Sequence, residues 1–274
     1  MTTGLASSNT YALGVEYDGG QFHGWQRQPE VPSVQGTLEQ AVGAVLNQPA
    51  HLVAAGRTDT GVHATAQVAS FSTDVIRPDR AYMNGVNAHL PDSVRVVWTR
   101  RMAADFHARF SATHRRYMFL FAEAPVAVLS AGQVWAGPAL NVQRMHAAAQ
   151  HLVGEQDFSA VRAAGCQSPT AIRCVHKISV RRFGTLVVLD VQANAFLLHM
   201  VRNIASALRQ VGLGERSPDW LHGLLAGQDR SALGITAPPQ GLYFVGVGYP
   251  ERWELPGPRL PALLRTLGEF QQLC

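Results

Sequence analysis

The sequence predicts an α+β fold built from two halves, each with its own strands and helices. Three observations lead to this fold class. Apolar residues alternate with period two over residues 11–17, and they recur at helical spacing over residues 34–46. A second set of strand and helix patterns then begins near residue 115, and no internal repeat at the level of identity relates the two sets. Two α+β halves are the simplest organisation that accommodates these patterns.

The first half opens with a strand over residues 11–17, where Tyr, Leu, Val and Tyr on one face alternate with Ala, Gly and Glu on the other. After a polar loop, Ser33 is a suitable N-cap for a helix of three to four turns. The apolar face of that helix consists of Val34, Leu38, Ala41, Val42, Val45 and Leu46. Short β-like runs follow at residues 53–55, 67–71 and 94–98.

The second half begins with a strand in RRYMFLF, residues 115–121, and contains a second apolar strand in TLVVLDV, residues 185–191. Two helices have apolar faces at helical spacing. The first face contains Met145, Ala148, Ala149, Leu152 and Val153, and the second contains Phe196, Leu197, Met200, Val201, Ile204, Leu208 and Val211.

These patterns divide the chain into an N-terminal α+β half (1–105), a C-terminal α+β half (106–250) and a C-terminal extension (251–274). The extension has three prolines followed by a helical stripe of Leu260, Leu263, Leu264, Leu267 and Phe270. Such a stripe packs on the body of the protein or on a partner chain. We expect it to pack on its own body.

The composition indicates a folded globular protein, because 47% of the residues are hydrophobic and 15% are charged. No apolar run approaches the roughly 18 residues that a membrane span needs, and the N-terminus does not resemble a signal peptide. We therefore expect a cytoplasmic protein that makes no membrane contact. The cysteines Cys166, Cys174 and Cys274 have neither zinc-site spacing nor an even number, which favours idle thiols.

The formal net charge of +4 is too small to indicate a nucleic-acid partner, but the charge is unevenly distributed. Between Arg95 and Arg116 the chain has six arginines and one acidic residue, Asp105. This segment predicts phosphate contacts. Lys177 is the only lysine, and a genome rich in G and C gives the same preference for arginine without any function.

The densest polar cluster is GRTDTGVHA, residues 56–64, which follows an apolar strand. A loop of this kind is a candidate site. From these residues alone an ordinary tight turn is the favoured explanation of Asp-Thr-Gly, since it needs only side-chain to backbone bonding and a glycine at positive φ. Asp-Thr-Gly is also the triplet of aspartic proteases, but a single-chain enzyme of that class needs a second triplet, which is missing here.

Five separated blocks of the sequence resemble the tRNA pseudouridine synthase A family. They are YDGGQFHGWQRQ (17–28) with VQGTLE (34–39), GRTDTGVHA (56–64), FHARFSATHRRY (106–117), ANAFLLHMVRNI (193–204) and APPQGLYF (237–244). Their order over some 230 residues makes the resemblance specific. It implies a pseudouridine synthase fold with two α/β halves around a central cleft and mainly antiparallel sheets.

The resemblance also implies an activity: isomerisation of uridine to pseudouridine in the anticodon arm of tRNA, at positions 38, 39 and 40. The expected partners are tRNA and a second copy of the chain in a homodimer, with no cofactor and no metal. Nothing is oxidised or consumed when the C1′–N1 bond breaks and the base rejoins through C5. A catalytically idle RNA-binding module on the same fold is the alternative, and such a module has no need of a carboxylate directed at RNA.

The site residues that the resemblance implies are named by position in this chain. Asp59 matches the nucleophile, which attacks either C1′ of the ribose or C6 of the base. Arg57 matches the residue that holds the place of the flipped base, and Tyr117 matches the tyrosine that stacks on it. Arg202 matches an arginine near the catalytic carboxylate. The implied RNA contacts are Arg77 and the FHARF residues Phe106, His107, Ala108, Arg109 and Phe110.

The sequence departs from the family pattern at three places. Thr60 replaces a common alanine, Pro169 in QSPTA (167–171) replaces a common arginine, and the residues after Glu251 lie beyond the matched blocks. Pro169 puts one expected tRNA contact in doubt. The histidines at positions 63, 107, 114 and 199 suit packing or phosphate contact as well as proton transfer, so none is assigned to catalysis.

Overall fold

The computed structural model describes residues 9–123 and 132–265, which form two compact units. The first unit consists of residues up to Thr113 together with Gly246–Arg259. The second consists of His114–Val245 together with the residues from Leu260 onward. The α+β class is confirmed, because both units combine helices with a largely antiparallel sheet.

The first unit contains strands β1 (Asn9–Tyr17), β2 (Val53–Ala54), β3 (His63–Thr73) and β4 (Val94–Met102), and helices α1 (Val34–Leu46) and α2 (Asp79–Ala88). Strand β1 lies in the middle, with β3 and β4 antiparallel on its two sides, and β2 pairs with β3. The predicted first strand and first helix are confirmed. Ser33 caps α1 as expected, because its side chain accepts a hydrogen bond from the backbone N–H of Gly36.

The second unit contains strands β5 (His114–Ala122), β6 (Trp135–Ala136), β7 (Gly154–Asp157), β8 (Ile172–Phe183) and β9 (Leu186–Ala193), and β10 (Leu242–Gly248) begins in it. Its helices are α3 (Val142–Gln150), α4 (Met200–Gly212), α5 (Trp220–Gly227) and α6 (Ala262–Arg265). Strands β5, β9, β8 and β7 form an antiparallel sheet in that order, and the short β6 runs parallel to β5.

The unit boundaries differ from the expected ones at residues 105 and 250 because of buried side chains. Phe106 and Ala108 belong to a core cluster of the first unit that also contains Ala12, Val68 and Trp253. The segment up to Thr113 and the segment around Trp253 therefore complete the first unit. The core of this unit therefore combines two segments that are far apart in the sequence.

The leucine stripe of the C-terminal extension packs on the second unit, beginning at Leu260. Leu260 and Leu264 are buried in a core cluster with Met118, Leu120 and Val188, and Leu263 packs against that cluster. The expectation that the stripe packs on its own body is confirmed for these three leucines. Leu267 and Phe270 lie outside the described residues. Within the described ranges, no helix has the length and apolar character needed to cross a bilayer.

Candidate functional site

The loop from Gly56 to Val62 connects β2 to β3 and places Asp59 at a tight turn. The backbone N–H of Val62 donates to the carbonyl of Asp59 over 3.1 Å, and Gly61 has a φ of +78°. Asp59 is half-buried, whereas Arg57 is exposed. The turn geometry expected from Asp-Thr-Gly is present, and the residue that carries the candidate carboxylate is partly accessible.

Thr58 holds the loop in place through two hydrogen bonds. Its hydroxyl lies 2.8 Å from the buried Tyr17 hydroxyl, and its carbonyl accepts from the backbone N–H of Trp25 over 3.0 Å. Burial raises the pKa of Tyr17 to about 12, although hydrogen bonds to Thr58 and Gln67 act in the opposite direction. The phenol is therefore neutral at physiological pH and holds the residue next to Asp59.

Two glycines of the YDGGQFHGWQRQ block allow the backbone to approach the loop closely. A Cβ at Gly19 would lie 1.9 Å from the carbonyl oxygen of Val62, and a Cβ at Gly24 would lie 2.7 Å from that of Thr58. Gly24 also has a φ of +87°, which L side chains rarely adopt. These contacts explain why the two glycines accompany the Asp59 loop.

We expect Gly24→Ala to destabilise the first unit by about 1–3 kcal/mol and to lower turnover, because the new methyl group displaces the Thr58 and Asp59 backbone. Urea unfolding and product formation measure the two effects. Gly257→Ala is the matched control, since a Cβ there meets open space. Wild-type turnover in a stably folded Gly24→Ala protein would contradict this support role.

The VQGTLE block ties the start of α1 to the same scaffold. The backbone N–H groups of Val34 and Gln35 donate to the carbonyls of Gly24 and Trp25, over 3.2 and 2.9 Å. The carboxylate of Glu39 accepts from the backbone N–H of Leu52, which immediately precedes β2. The first two matched blocks thus form one support for the loop that carries Asp59.

The strand side of the loop is fixed by Gln67 and His63. Gln67 Nε2 donates to the carbonyl of Gly56 over 2.7 Å. His63 Nδ1 accepts from the backbone N–H of Gly19 over 3.2 Å and lies 3.1 Å from Asp18 Oδ1. His63 is buried, so its contacts give it a structural task beside the loop.

The FHARF residues divide into buried and exposed members. Phe106 and Ala108 are buried in the first unit's core, and the carbonyl of Ala108 accepts from the Tyr249 hydroxyl over 2.7 Å. Phe110 is 76% exposed, with the His107 ring stacked on it at 4.4 Å and the Arg109 guanidinium 5.5 Å from its centroid. The buried pair cannot contact RNA through their side chains in this conformation. They instead anchor the turn that carries the group of His107, Arg109 and Phe110, here called the exposed group.

His107 also shapes the turn that presents this group. Its Nδ1 accepts from the backbone N–H groups of Arg109 and Phe110, each over 3.1 Å. Arg77 is exposed elsewhere in the first unit, and its Nη2 donates to the carbonyl of Val45 over 3.2 Å.

The arginine-rich segment runs from β4 into β5 and is shared between the two units, and many of its arginines have protein partners. Ion pairs join Arg95 to Asp92, Arg100 to Glu254 and Arg116 to Asp190, and hydrogen bonds join Arg101 to Asn9 and Arg115 to the Asn194 carbonyl. The local charge balance of the sequence therefore overstates the charge available for phosphate contacts.

Tyr117 and Arg202 belong to the second unit. The Tyr117 ring, on β5, is 8% exposed and meets Phe196 and Phe244 edge to face, with centroids 5.0 and 4.9 Å away. Perpendicular contacts on two sides fix the plane of the ring. Arg202 is half-buried in the first turn of α4, and its Nε donates to the carbonyl of Ala237 over 2.8 Å.

Asn203, next to Arg202, is a structural residue that the sequence pattern did not identify. It is fully buried, and its amide donates to the carbonyl of Val161 over 2.8 Å. Its Oδ1 accepts from Thr236 over 2.8 Å and from Arg230 over 3.2 Å. The polar Arg-Asn pair of HMVRN therefore fastens the segment before APPQG to α4.

The QSPTA segment is supported by arginines on both sides. Arg162 Nη2 donates to the carbonyls of Cys166 and Ser168, both over 2.7 Å. Arg173 Nη2 donates to the Ser168 hydroxyl over 2.5 Å. The segment that carries Pro169 thus has two nearby guanidinium groups, although neither occupies the position of the missing arginine.

Comparison with known proteins agrees with these blocks. A family model described as tRNA pseudouridine synthase matches residues 14–111 and 148–250. The chain is 52% identical over 247 residues to "tRNA pseudouridine synthase A" of Shewanella amazonensis, covering 89% of this chain and 95% of that one. It is 49% identical over 255 residues to the protein of that name from Hydrogenovibrio crunogenus, covering 92% and 97%. The Coxiella burnetii protein of that name, strain Dugway 5J108-111, is 47% identical over 252 residues, with coverage of 91% and 96%.

Both units contribute to the matched residues, and the alignments span nearly the full length of each relative. The chain belongs to the tRNA pseudouridine synthase family.

Proposed function

We propose that this enzyme isomerises uridine at positions 38, 39 and 40 in the anticodon arm of tRNA, with Asp59 as the nucleophile. Family membership establishes the coarser activity, isomerisation of uridine to pseudouridine in tRNA. The observation that carries the role of Asp59 is its turn, in which hydrogen bonds of Thr58 and Gly56 hold the loop on which half-buried Asp59 lies; the positions in the anticodon arm rest on the family resemblance of the sequence blocks.

The chemistry needs no change of oxidation state. The C1′–N1 bond breaks, a C1′–C5 bond forms, N1 gains a proton and C5 loses one. A carboxylate at the loop tip holds the sugar or the base covalently while the base turns, through attack at C1′ or at C6. Exposed Arg57 holds the place vacated by the flipped base.

The second unit supplies the proposed partners of the flipped base. Tyr117, whose ring contacts Phe196 and Phe244 edge to face, meets the uracil ring, and Arg202 contacts the bound substrate. In the first unit, Arg77 and the exposed group of His107, Arg109 and Phe110 contact the RNA backbone and an unstacked base. We further propose that the enzyme acts as a homodimer, which sedimentation tests directly.

The decisive experiment incubates the purified enzyme with unmodified tRNA transcripts and maps pseudouridine. We expect product at positions 38, 39 and 40 and none when cytidine replaces the uridines there. Product elsewhere in the tRNA would overturn the assignment to the anticodon arm while retaining the enzyme class. Tight binding without any product would favour the idle RNA-binding module.

We expect Arg109→Glu to weaken the binding of many tRNAs alike and to lower the slope of log affinity against log salt by about one, because a phosphate contact is lost. A salt titration by filter binding measures this slope. Arg216→Glu, an equal charge reversal at an exposed site of the second unit, is the control. An unchanged slope for Arg109→Glu would mean that the exposed group faces away from RNA.

A further inference from the structure

A concave surface lies on the face of the β5–β9–β8 sheet opposite to Tyr117. Its volume is about 450 Å³, and its lining includes Arg116, Lys177, Arg181 and Asp190. In the sheet, Tyr117 pairs with Val191, whereas the neighbouring Arg116 pairs with Gln192. Because side chains alternate along a strand, Arg116 and Tyr117 point to opposite faces. The surface, here called the rear groove, is therefore separate from the tyrosine site.

The rear groove is positively charged. Arg116 and Asp190 neutralise each other in a bidentate ion pair, with N···O distances of 2.8 and 2.6 Å. Lys177 and Arg181 are exposed on β8, and no carboxylate among residues 9–123 and 132–265 lies within ion-pair distance of either. Among the residues that the structure describes, these two cations of the concave surface thus have no carboxylate as a counter-charge.

Packed elements of the second unit border the groove. Helix α3 contacts β8 beyond the stretch that pairs with β7: His146 Nδ1 accepts from the backbone N–H of Val180, and Gln150 Nε2 donates to the carbonyl of Ile178. At the other end, Val188 belongs to the buried cluster that includes Leu260 and Leu264 of the C-terminal segment. The floor and both ends are therefore held by packed elements.

We propose that the rear groove binds backbone phosphates of the tRNA substrate, at a part of the molecule remote from the modified base. Lys177 and Arg181 lie four residues apart on one strand, roughly 13 Å along it, and strand side chains stand nearly perpendicular to the sheet. This spacing suits an extended polyanion better than a single small anion. The inference rests on the proposed function only in that the substrate is tRNA.

The test compares the double variant Lys177→Ala/Arg181→Ala with Arg216→Ala/Arg252→Ala, which removes the same charge from exposed arginines outside the groove. Filter binding is measured with full-length tRNA and with an isolated anticodon hairpin over a range of salt. We expect the groove variant to weaken full-length tRNA binding roughly tenfold at 0.1 M salt and to lower the salt slope by about 1.5 to 2. The ratio of tRNA affinity to hairpin affinity falls accordingly.

Equal losses in the two double variants, or wild-type affinity in the groove variant, would overturn the proposal. A change in sedimentation of the groove variant without RNA would also overturn it, because the groove would then be a protein interface. Circular dichroism of both variants excludes misfolding as the cause. Because this experiment measures affinity, a negative result for the groove can be distinguished from a failure of the enzyme to form pseudouridine.

Discussion

We expect replacement of Asp59 by Asn or Ala to abolish pseudouridine formation and to leave tRNA affinity within a few-fold of wild type. The carboxylate is the proposed nucleophile, so neither side chain can replace it. A single carboxylate near an anionic ligand contributes little to binding, which is dominated by phosphate contacts. Tritium release from uridine-labelled tRNA measures product, and filter binding measures affinity.

The control for this variant is Asp92→Asn, which makes the same chemical change at a fully exposed residue paired with Arg95. It retains wild-type turnover. If the Asp59→Ala variant forms product above the no-enzyme background, Asp59 is not the nucleophile. The turn itself survives the substitution, because it is held by backbone contacts of Thr58, Gly56 and Val62.

We expect the second large effect on activity from substitutions of Tyr117. Replacement by Phe removes only the hydroxyl, whereas replacement by Ala removes the ring as well. Phe keeps the edge-to-face contacts with Phe196 and Phe244, and we expect near-wild-type tRNA affinity with a large loss of product. The reason is that a proton must leave C5 after the base rejoins, and the phenol is the proposed acceptor. Tyr117→Ala loses product and also roughly 1–3 kcal/mol of base stacking.

The structure adds a requirement to this comparison. Because Tyr117 is buried, the Ala variant leaves a cavity that costs about 3–5 kcal/mol of folding free energy, so thermal unfolding must accompany its binding titration. Tyr243→Phe is the control, since it removes a hydroxyl from an equally buried tyrosine of the same unit whose partner is the Gln133 carbonyl. Wild-type activity of Tyr117→Phe would restrict the residue to stacking.

Elements with a strong apolar period could be predicted from the sequence. β1, α1 and the central part of β5 lie where the alternation or helical spacing placed them. Helix α2 was missed because only Tyr82 and Val86 of its residues are buried, so it has almost no apolar stripe. Strand β8 was missed because exposed polar residues dominate it and a bulge between Val175 and Lys177 breaks its alternation.

The candidate site could likewise be predicted only in part from the sequence. Sequence blocks identified Asp59 as a candidate, but they did not indicate that Tyr17 and Gly24 support its loop, since these contacts join residues more than thirty positions apart. They also grouped Phe106 and Ala108 with exposed Arg109, although burial separates them. A motif records which residues occur together, whereas only the folded chain separates those that face solvent from those that hold them in place.

The division of the first unit has a consequence for synthesis on the ribosome. The core cluster of this unit needs Trp253, which packs at 5.1 Å from the Phe106 ring, yet Trp253 is translated after the whole stretch His114–Val245. A nascent chain that ends before residue 246 therefore exposes part of the apolar surface beneath the FHARF turn. Assembly of the unit that carries Asp59 is therefore completed only after the whole of the stretch His114–Val245 has been translated.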